Sequence, residues 1–108
     1  MTIEILQKTG IPFRRTRFLK PPPGTYAIYE DDITTSGGDH LVAIYHHQIT
    51  IELYESGLDD TAEEKIQTIL AEKGLQFEKQ DRLWLPDEQR YQVVYEFDYY
   101  EKRRFYHA

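Results

Sequence analysis

A chain of 108 residues, 40% hydrophobic and 30% charged, is sized for a single domain with one core and is too short for a second. It has no cysteine, which excludes disulfide staples, thiolate zinc sites and cysteine nucleophiles together. The formal net charge of -6 conceals a division: Arg14, Arg15, Arg17 and Lys20 lie near one end, Lys102, Arg103 and Arg104 near the other, and the stretch between them is acidic.

The opening residues, MTIEILQKTGIP, lack a basic start followed by a continuous apolar core. No apolar run approaches the roughly 20 residues needed to span a bilayer. A chain that is soluble and cytoplasmic at synthesis, with no membrane partner, is therefore expected. Thr2 to Thr9 reads as a short helix with Ile3, Ile5 and Leu6 apolar, ended by Gly10 and Pro12. Phe13 to Leu19 reads as a strand, and Pro21-Pro22-Pro23-Gly24 then forces a stiff, extended link that cannot donate hydrogen bonds to a sheet.

Thr25 to Glu30 and His40 to Glu55 read as partner strands around a loop from Asp31 to Asp39. On the second strand Leu41, Ala43, Tyr45, Ile49, Ile51 and Leu53 share one face, while His46, Gln48, Thr50 and Glu52 share the other. At 3.3 Å per residue that strand reaches roughly 50 Å, so a hairpin with Ile33, Thr34, Thr35, Ser36, Gly37 and Gly38 at its tip should protrude as an arm. His46 and His47, as strand neighbours, face opposite sides and cannot reach one metal ion without a bulge. His40 shares a face with His46 but lies about 20 Å from it at strand spacing, and His107 sits in a terminal tail.

From Leu58 the order is helix, strand, turn, strand. Asp60 with Glu63 three residues on fits a capping box, and Leu58, Ala62, Ile66, Ile69 and Leu70 then form an apolar stripe, with Glu63, Glu64, Lys65, Gln67 and Glu72 pointing away. Gly74 suits a left-handed residue after the last turn, with Leu75 folding back on the helix end. Phe77 to Leu85 and Arg90 to Tyr100 read as strands joined through Pro86, Asp87 and Glu88. In the second of these Tyr91, Val93, Tyr95, Phe97 and Tyr99 alternate with Gln92, Val94, Glu96, Asp98 and Tyr100, so one face is aromatic and the other mostly polar. The reading amounts to an α+β domain spanning residues 1–108. It has a mostly antiparallel four- to five-stranded sheet packed on one main helix through Ile66, Ile69 and Leu70. Ala27, Tyr45, Ile49, Ile51, Leu53, Tyr91, Val93, Tyr95 and Phe97 are the core partners on the sheet, and Trp84 covers an edge.

The same segment carries a family resemblance. The amphipathic helix, the Lys-Gln-Asp strand start, the Glu-Gln turn and the ending YQVVYEFDYYEK, with GTYAIY, an acidic Gly-containing loop and HQITIELYESGLDDTAEEKI upstream, resemble the tail-terminator group. These tail-completion proteins are small neck proteins of long-tailed bacteriophages and prophages. The similarity runs from about Pro12 onward, and no catalytic signature is part of it. It implies a structural, virion-associated protein with no turnover and no cofactor: a homo-oligomeric ring, commonly sixfold, that caps the finished tail tube and presents its other face to the head-tail connector proteins. Interface residues are then expected among Asp31, Asp32, Ile33 and Asp39 in the loop, and among Arg14, Arg15, Arg17, Arg103 and Arg104.

Two readings from other classes compete with it. Paired carboxylates such as Asp31 and Asp32, or Glu96 and Asp98, are the raw material of acid-base work, yet no nucleophile, phosphate loop or Ser/His/Asp arrangement accompanies them, so an enzyme is not expected. Basic residues interleaved with Phe13, Phe18, Phe105 and Tyr106 suit phosphate contact and base stacking in a small nucleic-acid-binding domain. The acidic middle of the chain opposes that reading unless the two basic ends share one face.

Overall fold

The computed structural model of the chain describes residues 1–39 and 42–104, and of residues 38 and 39 the backbone alone. His40, Leu41, Phe105, Tyr106 and His107, each used in the sequence reading, lie outside the described residues. In chain order the elements are α1 (Thr2–Thr9), β1 (Phe13–Arg15), β2 (Tyr26–Asp39), β3 (Val42–Glu55), α2 (Asp60–Glu72), β4 (Glu78–Lys79), β5 (Leu83–Leu85) and β6 (Arg90–Arg104). They build one six-stranded sheet in the order β1-β2-β3-β6-β4, with β5 also pairing along β6.

The α+β class is as expected, but the sheet is mixed and both helices contribute to the core. β1 runs parallel to β2, with Phe13 opposite Ala27, whereas the other pairs are antiparallel. The expected strand Phe13 to Leu19 therefore stops at Arg15. Thr16 takes a left-handed φ of 69°, and the chain from there to the prolines folds back, held where Arg90 donates to the Gly24 carbonyl at 3.2 Å. The expected strand Phe77 to Leu85 is divided into β4 and β5, because Arg82 between them turns inward to pair with Glu63.

Helix α2 forms where the apolar spacing places it, with two corrections. Asp59 rather than Asp60 is the N-cap: its Oδ1 accepts from the Ala62 N–H at 3.1 Å, while Thr25 Oγ1 donates to its other oxygen at 2.9 Å. That anchoring starts the helix one residue later than the cap, and Leu58, expected on the stripe, is left 64% exposed. Glu63, expected to point away, is buried. The C-terminus closes as a Schellman turn: Gly74 has φ 70°, its N–H donates to the Ala71 carbonyl, and the Leu75 N–H donates to Leu70.

The core lies between the helices and the odd-numbered face of the sheet. Ile5 and Leu6 of α1 and Ile66 and Leu70 of α2 meet Ala27, Ile51, Leu53, Val93 and Tyr95, all with no exposed surface, and Ile49 and Phe97 close the cluster. Tyr45 and Tyr91, expected in the core, are only half-buried. Trp84 is 42% exposed at the sheet edge against Tyr91.

The segment from Asp31 to Asp39 is not a loop. β2 and β3 stay paired through it from Asp31↔Ile49 to Ser36↔Ile44, with one irregularity between Ser36 and Asp39. Ile33, Thr34 and Thr35 are β-branched residues that suit a pleated surface, and the two glycines fall in β2 at that irregularity. A Cβ on Gly37 would stand 2.7 Å from the Val42 carbonyl oxygen, so any larger residue there would have to push the facing backbone of β3 aside. The protruding arm is real and larger than a hairpin, because β6 continues to Arg104 opposite Val42 and adds a third strand. The molecule measures 52 × 30 × 22 Å, with a radius of gyration of 16.1 Å, against about 13 Å for a compact chain of this length.

Candidate functional site

The three-stranded arm extends beyond the core, and of its side chains Tyr99 at the base packs against the core cluster. It consists of β2 from Asp31 onward, β3 before Ile49 and β6 beyond Phe97, and it exposes apolar side chains on both faces: Ile33 is 46% exposed, Ile44 38% and Tyr100 69%. Its base is locked by two histidines on opposite faces, as the strand alternation requires. On the outer face His46 stacks on Tyr100 with ring centroids 4.4 Å apart, and its Nε2 lies 2.7 Å from the accepting Asp98 carboxylate. On the core-side face His47 stacks on Tyr99 at 4.5 Å.

His47 is the centre of a three-strand clasp. Its Nδ1 lies 3.0 Å from both carboxylate oxygens of Asp31 on β2, and its Nε2 lies 3.0 Å from Glu101 on β6. Only a ring carrying both N–H groups donates to both carboxylates, so proton placement on this side chain sets how many strands it ties. Glu101 is also paired with Arg103 at 3.1 Å. Arg103 first and His47 second hold the Glu101 carboxyl below its usual range. The Arg103 guanidinium in turn lies 4.5 Å from the centre of the Tyr45 ring.

The outer face of the sheet is acidic by register. Glu78 on β4 lies opposite Glu96, Glu96 opposite Thr50, and Thr50 opposite Glu30, and Asp32, Gln48 and Asp98 form the adjoining row. A cleft of about 630 Å³ runs between these rows. Gln80 donates to Glu96 at 3.1 Å, and His46 occupies Asp98, so part of the charge is already partnered.

The residues expected at an interface do not form one patch. Asp31 is half-buried in the His47 clasp, whereas Asp32 faces the opposite side and is exposed. Ile33 lies on the outer edge of β2, and Asp39 pairs opposite Val42 at the arm's tip. Arg15 donates to the Asp31 carbonyl at 3.3 Å, and Arg14 lies over the Phe18 ring at 5.3 Å. Arg17 is exposed beyond β1. Arg103 and Arg104 are on the far strand at the tip. Arg15 is level with Ile51 through Tyr29, and Arg103 with Ala43. Eight residues of β3 separate those levels, roughly 26 Å at strand spacing, so the two basic ends are not brought together.

A second group was not foreseen: the buried carboxylates Glu55 and Glu63 beneath α2. Glu55 has no exposed surface. Its Oε2 accepts from the Asp59 N–H at 2.7 Å, while Oε1 has no hydrogen-bond donor and only Arg82 Nε at 3.6 Å. Burial, reinforced by Glu63, pushes the Glu55 carboxyl up to about 7. Burial acts the same way on Glu63, but its bonds to Lys79 at 2.7 Å and to Arg82 outweigh it and hold that carboxyl below its ordinary value. One signal was available in the sequence: Glu63 stands three and seven residues before Ile66 and Leu70, on the buried side of the helix. Lys79 from β4 and Arg82 just beyond it cover this pair.

No protein-family model matches the chain, and no curated protein is significantly similar to it. Among the described residues no helix is long and apolar enough to cross a membrane.

Proposed function

We propose that this chain is a tail-terminator-like neck protein, which assembles as a ring, caps a phage or prophage tail tube and joins it to the head connector. The resemblance of its sequence to that family supports the reading. The structural observation that carries it is the arm, a blade of three strands extended away from the core with apolar groups on both faces and, among the described residues, unpaired strand edges on both sides. Such edges and exposed apolar groups are costly on a solitary domain and useful in an assembly. The separated charges support it further. An acidic outer face and basic groups at the β1 edge and the arm's tip are placed for contact between different patches of neighbouring copies, which is the arrangement that closes rings. The chemistry asked of the protein is binding alone.

The test is complementation. Deleting the coding sequence from the phage or prophage that carries it should leave heads and tails unjoined in electron micrographs, with infectivity restored by the intact chain supplied in trans. Normal infectious particles without the protein would overturn the proposal.

A further inference from the structure

We infer that neighbouring copies join by strand addition, the free edge of β6 in one copy pairing in parallel with the free edge of β2 in the next. This inference rests on the ring reading and specifies its contact.

Both edges are open over the same stretch of the arm. On β2 the outward backbone groups belong to odd residues: the Ala27 N–H is taken by Pro12, the Tyr29 carbonyl by Thr16 and the Asp31 carbonyl by Arg15. Beyond them the N–H and carbonyl of Ile33 and Thr35 point outward, and no described residue pairs with them. On β6 the outward groups belong to even residues, since Gln80 donates to Val94 and β4 reaches only Glu96. Asp98, Tyr100, Lys102 and Arg104 continue that edge without a partner among the described residues. Neither open stretch contains a proline, and the one irregularity of β2 falls beyond Ser36, past the residues proposed to pair; the charges of the β6 stretch are partly neutralised within the chain, where Glu101 pairs with His47 and Arg103.

The two edges match level for level. β2 and β6 both run antiparallel to β3, so they run in the same direction. Read through β3, Ile33 is level with Tyr99, Thr35 with Glu101, and Asp39 with Arg104. A ring without pitch whose strands run along its axis sets equal levels side by side. A parallel ladder requires a residue whose N–H and carbonyl point outward to stand opposite one whose groups point inward, bonding to the residues on either side of it. Ile33 opposite Tyr99 meets that requirement: its N–H would reach the Asp98 carbonyl and its carbonyl the Tyr100 N–H of the next copy, and Thr35 would repeat the pattern with Tyr100 and Lys102. The faces also continue, because odd residues of both strands point to the core side. The exposed Ile33 would then lie beside an aromatic residue, and acidic Asp39 would be level with basic Arg104. Antiparallel self-pairing of two β6 edges is the alternative for a dimer, but it leaves the β2 edge open, whereas head-to-tail pairing covers both and closes the set.

The absence of cysteine makes the test direct. Thr34 and Tyr100 are level and on the same face. Within one chain β3 separates them by roughly 10 Å, beyond the reach of a disulfide. A chain carrying both Thr34→Cys and Tyr100→Cys, oxidised under assembly conditions, should give a ladder of covalent multimers beyond dimer, and neither single variant should. Thr35→Pro removes an outward N–H that no intrachain bond uses. It should weaken self-association by roughly tenfold or more and leave the thermal midpoint of the isolated chain near that of the wild type. Rings seen by native mass with no ladder, or with unchanged assembly of Thr35→Pro, would overturn the strand pairing and leave the ring reading standing. Covalent dimers from Tyr100→Cys alone, with nothing larger from the pair, would assign the edge to a β6–β6 dimer and overturn it. Monomer at every concentration, with and without tail-tube protein, would remove both.

Discussion

Glu55 and Ile66 show what a single side chain decides here, and in opposite ways. Glu55 ends β3 with no exposed surface and a carboxyl raised from an ordinary 4.5 to about 7 by burial and Glu63. A carboxyl raised on folding binds its proton more tightly in the native state, so the stability it contributes is fully present below pH 4.5 and is lost as pH rises through about 7. Glu63, held low, acts in the opposite sense and costs stability only as pH falls through its own range. Glu55→Gln keeps an acceptor for the Asp59 N–H and removes the titration. Urea unfolding between pH 5 and 7.5 should therefore show the wild type losing on the order of 2 kcal/mol relative to the variant. Parallel curves for the two proteins would show that Glu55 does not titrate in that window. Ile66, fully buried between α2 and the sheet, should cost roughly 2 to 5 kcal/mol when cut to alanine. A loss below about half a kcal/mol would contradict the packing. Ile66 was legible in the sequence because helical periodicity reports apolar positions. Glu55 and His47 were not, since a charged or polar residue at a buried position reads as solvent-facing until its partners on other strands are known, and the spacing that places Glu63 on the buried side of the helix was outweighed by its charge.

At the level of elements, both helices, the Gly74 stop and the inward aromatic face of β6 were legible because each is fixed by local spacing or backbone preference. The stretch from Asp31 to Asp39 was misread for a comparable reason. Its acids and glycines describe a loop by composition, while the alternation that makes it a strand is supplied by pairing with residues 44–49 of β3, a long-range fact. The parallel placement of β1 was likewise invisible, because three residues carry no pairing direction. The arm is held by the His47 clasp and by strand pairing more than by aliphatic burial, so its tip should be separable from the fold. Replacing residues 35–45 with Asn-Gly, which forms a tight hairpin turn, should change unfolding free energy by about 1 kcal/mol or less while abolishing particle assembly in complementation. A loss above roughly 3 kcal/mol would make the arm part of the folding core.

For the molecule as a whole, a net charge of -6 is distributed as an acidic outer face with basic groups at two separated places. Head-to-tail association between unlike patches should be strongest at low salt and should weaken as the Debye length falls from about 30 Å at 0.01 M to about 3 Å at 1 M. Sedimentation across that range checks it, and association that strengthens steadily with salt would point to an apolar contact instead. The α+β class and the protruding arm were legible from sequence at this scale. The open edges were not, because they exist only once the strand order is known. If the copies close into a ring, native mass spectrometry of the purified chain at low salt, alone and with tail-tube protein, will show it. A single closed multimer of defined number, with no open series of larger species, is the expected result; a monomer or a simple dimer under both conditions would contradict it.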